Sequence, residues 1–75
     1  MNASEIRDAR NAHPFARFTL ELRDGTLAPV ERAFQLAISP SGGELTYARR
    51  LKGFEHFPVT EVARLLPGIV TKKAG

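Results

Sequence analysis

Apolar and polar residues alternate without a break across residues 18–23, which read FTLELR. A period of two is typical of a half-buried β-strand, because successive side chains point to opposite faces of a sheet. Asp24-Gly25 follows directly and favours a two-residue type I′ turn, since both central residues need positive φ and Gly25 adopts it without steric cost. The pattern therefore predicts a β-hairpin at the centre of the fold, with strands at about residues 16–23 and 26–30.

Two more alternating segments follow this hairpin. Residues 34–38 read FQLAI and predict a third strand with Phe34 and Leu36 on the same face. Residues 45–49 read LTYAR and predict a fourth strand with Tyr47 pointing inward.

Turn-forming residues mark the connections between the strands. Residues 39–43, SPSGG, are the densest such cluster and predict a hairpin loop. Lys52-Gly53 marks the next turn, and an extended segment begins at 54–57. Pro29 lacks the N–H that a central strand needs, so its position predicts an edge, a bulge or the end of the second strand.

The two ends of the chain carry weaker patterns. Asn2 and Glu5 have the spacing of a capping box, which predicts a helix at about residues 3–12 with a narrow apolar stripe. Residues 59–66 fit either a short helix that stops at Pro67-Gly68 or a strand. We favour the strand, because the sheet otherwise lacks a final member on its open side.

The predicted fold class is mainly β (small α+β), with the N-terminal helix followed by a five-stranded, strongly bent antiparallel sheet or small barrel. We assign residues 1–68 to a single domain and residues 69–75 to a flexible basic tail. A chain of 75 residues with no cysteine has a small core and no disulfide to support it. Self-association into a homo-oligomer is therefore expected.

The charge of the chain adds little to this interpretation. The net charge is +3 and the sequence pI about 10.0, but Lys72 and Lys73 lie in the tail. Without those two, the chain has nine basic and eight acidic residues, so the folded part is nearly neutral. Residues 1–10 are polar and no segment has the length of a membrane span, which predicts a cytoplasmic protein with no membrane partner.

No motif for catalysis, a metal or a cofactor stands out. His13 and His56 are the only histidines, whereas a metal site needs three or four converging ligands. Ser39 and Ser41 flank a proline in a turn, and no base is implied beside them. We therefore expect a protein that is not an enzyme and that has no cofactor and no small-molecule substrate.

One basic cluster, Arg49, Arg50 and Lys52, lies beside two aromatic residues. Interleaved cations and aromatic rings suit a single-stranded nucleic acid, whose bases stack on the rings while its phosphates meet the cations. The alternative is a solvated hairpin end with both rings in the core. The candidate nucleic-acid-binding residues are Tyr47, Arg49, Arg50, Lys52, Phe54 and His56.

Residues 14–25, PFARFTLELRDG, and residues 34–40, FQLAISP, resemble a group of short bacterial proteins with a Pro-Phe-x-x-Phe-x-Leu-x-Leu-x-Asp-Gly signature, a resemblance that implies no particular activity. More distantly, residues 20–25 are similar to the opening strand and turn of Sm-like (Hfq/LSm-type) small barrels. Residues 34–36 look like the third-strand region of that family and residues 56–62 like its short final strand.

The Sm-like resemblance implies an N-terminal helix before a five-stranded bent barrel, rings formed by edge pairing of neighbouring barrels, and binding of uridine-rich or adenine-rich single-stranded RNA. The sequence thus supports two hypotheses about function. One is a non-enzymatic Sm-like binder of single-stranded RNA, and the other is a protein interaction module that pairs through a strand edge. Salt dependence separates them, because phosphate binding weakens steeply with salt.

Overall fold

The computed structural model describes residues 2–49 and 52–71. Within them the chain forms one helix, α1 (Ala3–Arg10), and six strands: β1 (Phe18–Leu22), β2 (Leu27–Val30), β3 (Leu36–Ile38), β4 (Glu44–Arg49), β5 (Gly53–Pro58) and β6 (Val62–Pro67). A first 3-10 turn, Ala33–Gln35, separates β2 from β3, and a second, Val59–Glu61, separates β5 from β6. The prediction of a mainly β fold with an N-terminal helix is confirmed.

The strands of the described part form two antiparallel sheets, with the orders β2-β1-β6 and β3-β4-β5, where one five-stranded sheet was predicted. The ladders do not close into a barrel. Both sheets contribute to one core, which consists of Ile6, Phe18, Leu20, Ala28, Val30, Leu36, Leu45, Tyr47, Phe57 and Val62. The inward orientation predicted for Tyr47 is confirmed.

Helix α1 begins where its cap predicts, since the Asn2 side chain accepts a hydrogen bond from the Glu5 N–H at 3.1 Å. The helix ends at Arg10, earlier than predicted. It buries Ile6 in the core, and the Arg10 Nε atom donates to the Leu36 carbonyl of β3 at 2.7 Å. The helix is thereby tied to the sheet that it covers.

The turn of the first hairpin has three residues and is not the predicted two-residue type I′ turn. The Gly25 N–H donates to the Leu22 carbonyl at 2.9 Å, which places Arg23 and Asp24 at the centre of the turn and leaves Gly25 after it with a φ of 92°. The Thr26 N–H donates to the Asp24 carboxylate at 2.9 Å and lowers the pKa of that carboxyl. Gly25 is needed at this position for a different turn from the one predicted.

Strand β1 is buried on both faces, although the alternation predicted a solvent-facing side with Glu21 on it. Thr19 is 0% exposed and Glu21 5% exposed. The Thr19 hydroxyl donates to the Gly68 carbonyl at 2.9 Å and accepts from the Val70 N–H at 2.8 Å, while Arg64 forms an ion pair with Glu21. Within residues 69–75, predicted to be a flexible tail, the Val70 N–H therefore contacts β1. Lys72 and Lys73 lie outside the described residues.

The chain bends sharply between β2 and β3. The Gln35 side-chain oxygen accepts hydrogen bonds from the Glu31 N–H at 2.8 Å and the Arg32 N–H at 2.9 Å. These bonds hold the first 3-10 turn and rotate Phe34 outward, so that its side chain is 79% exposed while Leu36 is buried. The prediction that both lie on one strand face is wrong for Phe34.

The ambiguous segment 59–66 contains both a turn and a strand. Val59–Glu61 is the second 3-10 turn, and β6 begins at Val62 and pairs with β1. The preference for a strand is confirmed from Val62 onward.

Candidate nucleic-acid interface

Arg49, the first cation of the predicted cluster, has its guanidinium engaged within the fold. It forms an ion pair with Glu55 on β5, and that hydrogen bond raises the pKa of Arg49. Its Nη1 and Nη2 atoms each lie 3.3 Å from the Leu27 carbonyl, and its Cζ atom lies 5.1 Å from the centre of the Tyr47 ring. A phosphate would have to compete with these partners, so Arg49 is a poor phosphate ligand in this conformation.

Tyr47 lies in the core with 3% of its surface exposed. Its hydroxyl donates to the Pro29 carbonyl at 2.5 Å, and burial raises the pKa of the phenol. A buried ring has no free face for a base. The stacking role predicted for Tyr47 would therefore require its ring to leave the core.

The other predicted residues stay at the surface where the structure describes them. Lys52 and His56 are exposed, and the Phe54 side chain is 72% exposed. The His56 Nδ1 atom lies 2.9 Å from the Thr46 hydroxyl on the neighbouring strand. Phe54 and His56 share one face of β5, because residues two apart on a strand do. Arg50 lies outside the described residues.

A second surface, not found in the sequence, lies between the end of α1 and the bend after β2. We call it the arginine groove; it has a volume of about 870 Å³ and is lined by Arg10, Phe15, Ala16, Arg17, Glu31, Arg32, Ala33 and Phe34. Three arginines and two phenylalanines thus line one concave surface, with Glu31 as its single acidic residue. This is the combination of cations and rings that the sequence predicts near Tyr47.

The arginines of the groove differ in how firmly they are held. Arg10 donates from Nε to the Leu36 carbonyl and from Nη1 to the Asn11 side chain at 3.0 Å. Arg17 and Arg32 are exposed and form no ion pair with any residue in the described part of the chain. Two cations are therefore available to an anionic ligand beside one fixed cation.

The two aromatic rings of the groove also differ. Phe15 is partly buried and packs against Phe18 with the ring centres 5.9 Å apart, whereas Phe34 is largely exposed. One sequence signal for the groove exists in the triplets Phe15-Ala16-Arg17 and Arg32-Ala33-Phe34, which are mirror images of each other. They are far apart in sequence, and the fold brings both to one surface.

Two of the strand edges are closed by side chains. On β2, the outward carbonyls of Leu27 and Pro29 accept hydrogen bonds from side chains of β4. On β3, the Leu36 carbonyl accepts from Arg10. Pairing of another chain at these two edges would have to displace those contacts.

The edge of β5 is open. Hydrogen bonds alternate along an antiparallel pair, and the Val59 N–H donates to the Gly43 carbonyl at 2.9 Å just beyond the β4–β5 pairing. The backbone groups of Phe54 and His56, which have the opposite parity, therefore point away from β4. Nothing in residues 2–49 or 52–71 pairs with this side of β5.

No other described strand pairs with the outer edge of β6 either. The Gly68 N–H donates to the Arg17 carbonyl at 3.0 Å, so Leu65 and Pro67, with the opposite parity, point away from β1. Pro67 has no N–H to offer, and Pro58 is its counterpart at the end of β5. Both open edges are therefore short.

In the described ranges, no three His, Cys, Asp or Glu side chains are grouped so that they could hold a metal ion. No helix of that part is long and apolar enough to cross a membrane. A scan against protein-family models, a search of curated proteins and a search of solved structures each found no match to this chain.

Proposed function

We propose that this protein is a non-enzymatic binding module of Sm-like architecture, which assembles through its strand edges and binds single-stranded nucleic acid. The observation that carries the proposal is the strand order. β2 and β3 can be counted as one strand that is broken by the bend at residues 31–35. The spatial order is then β6-β1-β2/β3-β4-β5, which gives five strands after the N-terminal helix. A helix before five strands is what the Sm-like resemblance implies, and this count supports the proposal.

The distribution of open edges supports assembly with a second copy of the chain. The two open edges, β5 and β6, lie at the two ends of this path, so one copy can present β5 to the β6 of the next. Phe54 lies on β5 with most of its ring in water, and full burial of a phenylalanine side chain stabilises an interface by about 1.5–3 kcal/mol. Pro58 and Pro67 would limit the pairing to a few residues on each strand.

The surface chemistry supports an anionic, aromatic ligand. In the arginine groove, the largely exposed Phe34 ring lies on the same concave surface as three arginines. Single-stranded nucleic acid combines phosphates with unpaired bases that stack on rings. The second candidate is a protein segment that adds a strand to β5, which the same open edge favours.

Binding to a short fluorescein-labelled oligouridine, measured by anisotropy over a series of salt concentrations, tests the proposal. We expect an affinity that falls steeply as salt rises, since each phosphate contact contributes about 0.7 to the log-log slope for a single strand. A complete lack of binding at low salt would refute the nucleic-acid function and leave the protein-partner alternative.

A further inference from the structure

The arginine groove has the features of a site for one unit of a polyanion. Its volume of about 870 Å³ lies within the range of pockets that hold small organic ligands, roughly 300–1,000 Å³. Its three arginines outnumber Glu31, so an anionic ligand is favoured over a cationic one. In the described part of the chain, the guanidinium groups of Arg17 and Arg32 form no hydrogen bond or ion pair with the rest of the fold.

Phe34 decides which kind of anion fits best. A phenylalanine that is 79% exposed at the rim of a basic groove offers a free aromatic face, whereas a site for an inorganic anion needs no ring. In a duplex the faces of the bases are already stacked, so the ring favours an unpaired base. A nucleotide within a single strand has both a flat base and a negatively charged phosphate on either side, so it matches the ring and the arginines of the groove.

The backbone around Phe34 makes this arrangement rigid. Gln35 holds the Glu31 and Arg32 N–H groups, and its side-chain nitrogen lies 3.4 Å from the Ala48 carbonyl. Arg32 and Phe34 are therefore presented by a turn that the neighbouring sheet supports. A preorganised ring and cation lose less entropy on binding than the same groups on a free loop.

We propose that the arginine groove binds one nucleotide of a single strand, with its base stacked on Phe34 and its flanking phosphates bound by Arg17 and Arg32. This inference rests on the proposed function and assigns it a site different from the one that the sequence indicated. Arg10, which is already bonded to Leu36, supplies fixed positive charge to the wall of the groove.

The test uses the full chain and the labelled oligouridine described above. Replacing both exposed arginines, R17Q with R32Q, should lower the log-log salt slope by about 1.4, which is two phosphate contacts at 0.7 each. The matched control is R7Q with R23Q, which removes the same charge from exposed arginines outside the groove. We expect the control to leave the slope close to that of the intact protein.

The ring is tested separately. Phe34→Ala should weaken binding by about 5-fold to 150-fold, the range of a lost base-aromatic stack, whereas Phe34→Tyr keeps the ring and should bind as the intact protein does. Thermal melting of each variant verifies that the fold is kept, which we expect because these side chains are exposed.

The possible failures are distinguishable. If the intact protein binds and the groove variants bind equally well, the groove inference is overturned and the proposed function stands. If the control pair lowered the log-log salt slope as much as R17Q with R32Q, the affinity would come from diffuse charge attraction. That result also overturns the assigned site. If the intact protein does not bind at all, the proposed function fails, and the inference fails with it.

Discussion

Tyr47 offers the sharpest test of how the two sheets are joined. Its hydroxyl, carried by β4, donates to the Pro29 carbonyl on the edge of β2, so this hydrogen bond helps to close that edge and links the two sheets. Tyr47→Phe removes that hydroxyl and keeps the buried ring. A fully buried acceptor that loses its donor costs about 1–3 kcal/mol, and the Pro29 carbonyl is partly buried. We therefore expect the free energy of unfolding to fall by about 1–2 kcal/mol.

Chemical and thermal unfolding both measure this loss. For a domain of this size, each kcal/mol lowers the melting temperature by roughly 4–8 °C. The control is Thr46→Val on the same strand, which removes a hydroxyl whose bond to His56 is exposed to solvent. That change should stay within about 0.5 kcal/mol. Equal stability of Tyr47→Phe and the intact protein would refute the claim that this bond helps to close the edge.

The same hydroxyl gives a pH dependence. Burial raises the pKa of Tyr47 above 10.0, the ordinary value, so the neutral phenol is favoured in the folded state. The stability that it contributes is complete below pH 10.0 and is lost as the pH rises through the raised pKa. The stability difference between the intact protein and Tyr47→Phe should therefore narrow in that alkaline window. A difference that stays constant would contradict the raised pKa.

Three further changes test other parts of the structure. Gly25→Val places a β-branched residue at a φ of 92° and should destabilise the fold by about 1–3 kcal/mol in urea unfolding; unchanged stability would mean that the turn is wrong. Thr19→Val removes the hydroxyl that holds the C-terminal segment and should speed hydrogen exchange at the Val70 amide, whereas continued protection would show that other contacts hold it. Phe54→Lys should reduce the mass in solution towards that of a monomer while Phe34→Lys does not, and an equal effect of both would remove the special role of the β5 edge.

Local periodicity predicts much of this fold because strands bury alternate residues. The alternation of FTLELR and of LTYAR identifies β1 and β4 together with their inward side chains. The same rule fails for β1, whose second face is covered by a segment about 50 residues later in the chain. It fails again at Phe34, where the side chain of Gln35 folds back onto two N–H groups and makes a turn that the spacing of apolar residues does not reveal.

The candidate site was harder to predict than the strands. Arg49 and Tyr47 have the composition of a nucleic-acid site, yet their partners Leu27 and Pro29 lie 22 and 18 residues earlier in the chain. Only the fold shows that these cation and ring contacts are internal. The arginine groove was missed for the corresponding reason, since its lining comes from three separate segments that no local motif connects.

We propose that the open edges of β5 and β6 join copies of this chain. The most direct test is the mass of the intact protein in solution, measured by multi-angle light scattering over a wide range of protein concentrations. We predict a dimer or a larger ring, with a mass that is a multiple of the 8.3 kDa of one chain. A mass of 8.3 kDa that does not change up to the highest concentration would contradict edge-to-edge assembly and the Sm-like ring with it.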